Sequence, residues 1–267
     1  MREIKLLLLI AIGMGVAIGA GADLTRHLEC GLPGSPAARV LIFDNSLNRP
    51  VYQPVSQWRR YLHGAPVDAV HMPTVRETPS LDGYTHIIIT GSTASLVDPP
   101  EWAKAEADLV REAQRRGLAI LGSCFGHQML AYALSGPAHV APAKVAEIGW
   151  VAVQMSEDDP LFIGLPEPWH AFAWHDDEVV DLPPPWRILG STSSCEAAVI
   201  RYGDEPIWGI QLHPEYTPCE AKTLMLLQRL FRGGNSIEIC VALCQQPHDD
   251  KVVGVLVDRF LAAGPTR

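Results

Sequence analysis

The sequence is short of charge. Only 19% of its 267 residues are Asp, Glu, Lys or Arg, and 30 acids against 21 bases leave a net charge of −9. A chain of that sign lacks the basic stripe that a general DNA- or RNA-binding surface needs, so no nucleic-acid partner is expected. Cysteine is also scarce, and six in this length do not make a disulfide scaffold. No internal repeat and no coiled-coil pattern is present, which sets aside solenoids and long supercoils. Long hydrophobic runs are missing except one, so a polytopic membrane protein is excluded. What remains is 48% apolar residues, enough for a sizeable core, in a length that suits one α/β domain with extensions.

The single long apolar run covers residues 6–22, between Lys5 and Asp23. A short basic start, a charge-free stretch and Ala20-Gly21-Ala22 at its end match a signal peptide or short membrane anchor. At about 1.5 Å per residue the run spans roughly 26 Å, near the short limit for a bilayer. A buried extra helix, or a start codon placed too far upstream, accounts for the same residues. Gly31-Leu32-Pro33-Gly34-Ser35-Pro36 then reads as a linker. The expected organisation is an N-terminal segment and linker at 1–38, a body at 39–232, and a C-terminal extension packed on it at 233–267. Membrane contact is expected only through residues 6–22. The catalytic body is placed in the cytoplasm, with anchoring or export through that segment as the alternative.

Along the body, short apolar runs at 39–43, 67–71, 86–90 and 118–121 read as buried strands, and 54–62 and 99–116 read as helices. This alternation indicates an α/β fold with a mostly parallel sheet covered on both faces. After Pro142 the texture changes to strands at 147–155, 188–200 and 206–212, divided by turns. Helices are expected at 218–231 and 250–262.

The strongest chemical signal is Gly122-Ser123-Cys124-Phe125-Gly126. A nucleophile between glycines, after a strand and before a helix, has the elbow pattern. Cys124 then stands at a helix N-terminus, where free N–H groups and the helix dipole favour a thiolate. The Phe125 N–H is in place to stabilise an oxyanion. A thiolate carrying out acyl transfer needs an imidazole, and the imidazole needs an orienting carboxylate. His213-Pro214-Glu215, just past a buried strand, supplies both.

These paired motifs resemble the class I, or triad, glutamine amidotransferase family. Gly122-Ser-Cys-Phe-Gly-His-Gln128 is similar to its nucleophile motif and Gly209-Ile-Gln-Leu-His-Pro-Glu215 to its His/Glu motif; the resemblance covers residues 39–232. Ile89-Thr-Gly-Ser92 resembles the segment whose backbone, at Gly91 or Ser92, completes the oxyanion hole. The resemblance further implies that Gln128 faces bound glutamine, and that His175 and Asp177 lie on a loop near the site. Trp174 is the ring expected to line the cleft, while Trp150, Trp169, Trp186 and Trp208 read as core. The nearest pattern is the stand-alone, GMP synthase-like group. The expected architecture is a flavodoxin-like open, mostly parallel sheet with helices on both faces and a small antiparallel strand region. Two departures stand out: Ser123 where the family often has an apolar residue, and Ser135-Gly136 where Gly-Gly is usual.

The resemblance implies hydrolysis of the glutamine side-chain amide through a Cys124-His213-Glu215 triad and a glutamyl thioester, with no cofactor. No nucleotide-binding Gly-x-x-x-x-Gly-Lys-[Ser/Thr] loop follows a strand, so an ammonia-accepting synthetase would be a separate chain. A γ-glutamyl peptide or amide hydrolase with the same triad is one alternative, and a non-catalytic binding module on this fold is another. Cys240 and Cys244 have only His248 near them and read as core thiols, so no metal site is expected. His139 and His170 read as structural or exposed.

Overall fold

The computed structural model describes residues 38–49, 51–232, 237–248 and 250–265. The apolar run at 6–22 and the linker after it lie outside them. Among the described residues, no helix is long and apolar enough to cross a membrane.

Four apolar runs form the centre. Strands β1 (Val40–Asp44), β3 (His86–Ile89) and β4 (Ala119–Ser123) are buried at every position, as strands covered on both faces must be. β9 (Ile207–Ile210) is equally buried. With β2 (Val67–His71) at the edge, they pair in parallel in the order β2-β1-β3-β4-β9. Alternation sends Val40 and Ile42 to one face and Leu41 and Phe43 to the other.

The second face of that pattern is covered by helices α2 (Glu101–Arg115) and α3 (Phe125–Ser135). In α2 the buried residues Ala103, Glu106, Ala107, Val110 and Ala113 recur at helical spacing, and Gly117, at φ +69°, ends the helix. The first face receives α1 (Pro54–Arg59) and, from the C-terminal extension, α6 (Val252–Ala263). Val253, Leu256, Val257 and Phe260 of α6 join the core, and the Phe260 carbonyl lies 3.0 Å from His86 Nε2.

The expected open, flavodoxin-like sheet is corrected by the rest of the topology. β5 (Val140–Met155), β6 (Trp169–Val179), β7 (Trp186–Ser191) and β8 (Val199–Tyr202) extend the same sheet antiparallel, completing the order β9-β8-β7-β5-β6. The result is one nine-stranded mixed sheet curled into a half-barrel. Register shifts between Pro142 and Glu147 and between Ile188 and Gly190 supply the bending, because an irregular strand twists more than a regular one. The curl brings β6, last in the order, back against the residue just past β9: Phe172 bridges His213, whose N–H donates to the Phe172 carbonyl at 2.7 Å. The segment 174–179, expected as a loop, is therefore part of an 11-residue strand.

A third cluster fills the mouth of the curl, with Tyr52, Trp150, Phe172, Tyr216 and Met225 packing against Ile239 and Ala242 of α5 (Ile237–Cys244). Tyr216 comes just before α4 (Pro218–Arg232), which contributes Ala221 and Met225.

Candidate active site

The parallel strands end in step. Ile89 is level with Gly122, and Gly122 with Gly209, so the residues following β3, β4 and β9 meet at one crevice. Cys124 caps α3 at φ 52° and ψ −107°, a conformation that side chains rarely adopt. The glycines on either side make the turn sterically possible. A Cβ on Gly122 would strike the Gly126 carbonyl, and one on Gly126 would strike the Ile89 carbonyl. Gly209 is held to glycine by the His127 ring, 2.5 Å from where its Cβ would be. The two motifs thus interlock. Burial pushes His127 down to about 3, so this ring is neutral packing and not a second base.

Cys124 is only 4% exposed, and its thiol donates weakly to the Trp174 carbonyl at 3.6 Å. His213 Nδ1 lies 2.8 Å from Glu215 Oε1, and that carboxylate is fully buried. Burial alone would lower the imidazole. Attraction to Glu215 and Cys124, with hydrogen bonds to both, overcomes this and pushes His213 up to about 10. Cysteine, imidazole and carboxylate are therefore one coupled unit. Ser123 is settled without loosened packing: its hydroxyl donates to the Leu212 carbonyl at 3.2 Å and lies 3.3 Å from Glu215 Oε2.

Above Gly91 there is no room for a side chain. A Cβ there would lie 2.6 Å from His213 Cε1, 2.8 Å from the Tyr52 hydroxyl and 3.5 Å from Cys124 Cβ. The Phe125 N–H, at the first position of α3, belongs to the donors that a helix leaves without an internal partner. A negative oxygen beside Cys124 would meet that helix end.

A cavity of about 240 Å³ opens on Cys124 and His213, lined also by Tyr52, Ser92, Gln128, Trp174, His175, Asp177 and Tyr216. All the residues expected at the substrate face are present, but their hydrogen bonds refine their parts. Gln128 Nε2 donates to the Asp177 carbonyl at 2.8 Å and to Gln211 Oε1 at 3.3 Å. His175 has both ring nitrogens engaged, with the Asp177 carbonyl and Glu147 Oε2, each at 3.0 Å. Asp177 accepts from Ser95 Oγ at 2.6 Å. These side chains brace the cavity wall across β5, β6 and α3. A larger, shallower hollow of about 690 Å³ lies over Ile237, Cys240, Val241, Cys244 and Gln245, and it presents no imidazole or carboxylate.

Tyr52 and Tyr216 carry no signal in the sequence. Tyr52 stacks on Tyr216 at 5.9 Å and meets His213 edge-on at 6.3 Å. Its hydroxyl is buried and has no hydrogen-bond partner among the described residues. No local motif marks Tyr52, because it reaches the site only through the path of the chain after β1.

Comparison with known proteins settles the family. Residues 46–232 match the glutamine amidotransferase class-I family. The chain belongs to it. The chain is 32% identical over 192 residues to a glutamine-hydrolysing GMP synthase of Caldicellulosiruptor saccharolyticus, covering 72% of this chain and 35% of that protein. It is 36% identical over 106 residues to one subunit of the glutamine-hydrolysing GMP synthase of Methanothermobacter thermautotrophicus, covering 40% of this chain and 56% of that one. The chain thus spans between a third and little more than half the length of these relatives. The fold is shared with a solved glutamine amidotransferase from Thermotoga maritima, at TM-score 0.68 and 22% identity, covering 85% of this chain and 96% of that one. A glutamine amidotransferase from Methylobacillus flagellatus superposes similarly, at TM-score 0.66 and 18% identity over 88% and 97% of the two chains. Residues 46–232 are thus a class I glutamine amidotransferase domain.

Proposed function

We propose that Cys124, His213 and Glu215 hydrolyse the side-chain amide of glutamine, and that the ammonia passes to a separate synthetase chain. The observation that carries this reading is the buried 2.8 Å His213–Glu215 contact beside a cysteine held at positive φ. His213 takes the Cys124 thiol proton, Sγ attacks the amide carbon, and the carbonyl oxygen takes up the negative charge. The N–H groups of Gly91 or Ser92 and of Phe125 receive that oxygen. As the tetrahedral intermediate collapses the C–N bond breaks, and His213 gives its proton to the departing ammonia. Water then enters, His213 takes its proton, and attack on the thioester releases glutamate and the free thiol. Glu215 fixes the imidazole tautomer and stabilises its charged form.

The Tyr52 hydroxyl faces the same space over Gly91 and acts as a further donor to the substrate. Gln128, Trp174, His175 and Asp177 shape the pocket, with His175 acting as a strut through Glu147. What supports a separate synthetase is that the relatives are GMP synthases of which this chain matches only a part. The test is glutamate release from glutamine and from a panel of γ-glutamyl amides, with Cys124→Ala beside the parent. Turnover of glutamine that vanishes in the variant supports the reading. Preference for a bulkier γ-glutamyl amide replaces it with a peptide hydrolase.

A further inference from the structure

Away from the cavity, β6 meets the connection between α5 and α6 through three side chains. His170 lies on β6, and His248 and Asp250 lie on that connection. One ligand atom from each falls within 4.8 Å of the others. None of the three lines the cavity at Cys124.

We propose that His170, His248 and Asp250 bind a divalent transition-metal ion of the zinc class, which ties the C-terminal extension to β6.

The geometry carries the argument. His170 Nδ1 lies 3.1 Å from Asp250 Oδ2, and His248 Nε2 lies 3.3 Å from Asp250 Oδ1. Zinc bonds of about 2.0–2.1 Å, opened to the tetrahedral angle, place neighbouring ligand atoms about 3.3–3.4 Å apart. The two imidazoles therefore already stand near one edge length from the carboxylate. The rings are stacked, with centroids 3.6 Å apart and planes within 17°, so the exposed His248 ring has to turn out of the stack to bring its in-plane lone pair onto an ion beside His170 and Asp250.

The carboxylate is set in advance. Asp250 Oδ2 also accepts the backbone N–H of His170 at 2.7 Å. Two ligands are largely sheltered, at 19% and 17% exposure, while His248 stands at the surface at 59%. That combination offers a fixed half-site and one outer ligand free to swing inward as an ion sheds water. The donor set is mixed nitrogen and oxygen. It suits zinc and its neighbours, whereas calcium and magnesium prefer an all-oxygen shell.

A metal here lies outside the hydrolytic chemistry. Its effect would be on the position of β6, because Phe172, two residues beyond His170, accepts the backbone N–H of His213.

The experiment uses the full chain, stripped with a chelator and titrated with Zn²⁺ by calorimetry and with Co²⁺ by absorption. One ion per chain is expected, with visible cobalt bands and no thiolate-to-cobalt charge-transfer band. His248→Ala, at an exposed position, should weaken binding at least tenfold and abolish the rise in melting temperature that Zn²⁺ gives the parent. Asp250→Asn should weaken it similarly. Equal affinity in the parent and His248→Ala overturns the proposal, as does the absence of saturable binding. Binding that survives in His248→Ala but is lost when Cys240 and Cys244 are changed to Ser also overturns it, by assigning the ion to thiols.

Discussion

The backbone of His213 is held by Phe172. The N–H of one donates to the carbonyl of the other at 2.7 Å, across the closing seam of the half-barrel. The base is thus fixed twice, by Glu215 at its ring and by β6 at its main chain. An open sheet would leave this second tie unmade. The curl is therefore part of the site's geometry and explains why a strand far along the sheet order also supplies its wall.

Gly91 tests how tightly the parts meet. A methyl group there would lie 2.6 Å from His213 Cε1 and 2.8 Å from the Tyr52 hydroxyl. Gly91→Ala should lower kcat for glutamine by about a hundredfold or more, since displacing a positioned base or oxyanion donor costs that much. The variant should keep a cooperative melt. Steady-state kinetics beside calorimetry check both.

Tyr52 separates a donor from a packing ring. Tyr52→Phe keeps the stack on Tyr216 and removes only the unpartnered hydroxyl. The expected loss in kcat/KM is about tenfold to a hundredfold, with little change in stability. A glutamate γ-semialdehyde, which forms a tetrahedral adduct with the thiol, should lose affinity in parallel. Unchanged kinetics and unchanged aldehyde affinity would remove Tyr52 from the reaction.

The imidazole of His213 carries a pH signature. Its value, about 10, exceeds that of the unfolded chain, so the folded state holds this proton more tightly. The stabilisation is complete below about 6.5 and fades as pH climbs through about 10. Glu215→Gln removes the strongest raising partner and should bring the titration down by about one unit or more, followed by NMR of the ring protons. A titration that stays in place would uncouple Glu215 from the base.

Glu106 gives the same sign in a lower pH window. Burial in α2 pushes this carboxyl up to about 8 against the hydrogen bond from Asn45 Nδ2, at 2.8 Å. The folded form holds a proton that the unfolded chain releases near 4.5, so stability falls as pH rises from about 4.5 to 8. The slope from this one group is at most about 1.4 kcal/mol per pH unit. Glu106→Gln should flatten that part of the curve, measured by denaturant melts at pH 5, 6, 7 and 8.

The elbow and the His-Pro-Glu turn were legible because local sequence fixes their geometry. Glycine at 122 and 126 is required by close backbone contacts within the same turn. The strands β1, β3 and β4 were legible for a similar reason, since burial on both faces writes a continuous apolar run. The curl was not legible. It depends on irregular pairing in β5 and β7, and on which edge returns to meet His213. β6 was hidden because Trp169, His170, Trp174 and His175 break a simple apolar alternation. Their partners, Asp250 and Glu147 among them, come from distant segments. Tyr52 was illegible for the same reason, a residue made functional only by long-range packing.

The most direct measurement of the central claim is glutamate release from glutamine by the full chain, with Cys124→Ala run in parallel. The account predicts steady turnover in the parent and loss of at least about a thousandfold in the variant. Equal rates in the two proteins would contradict it.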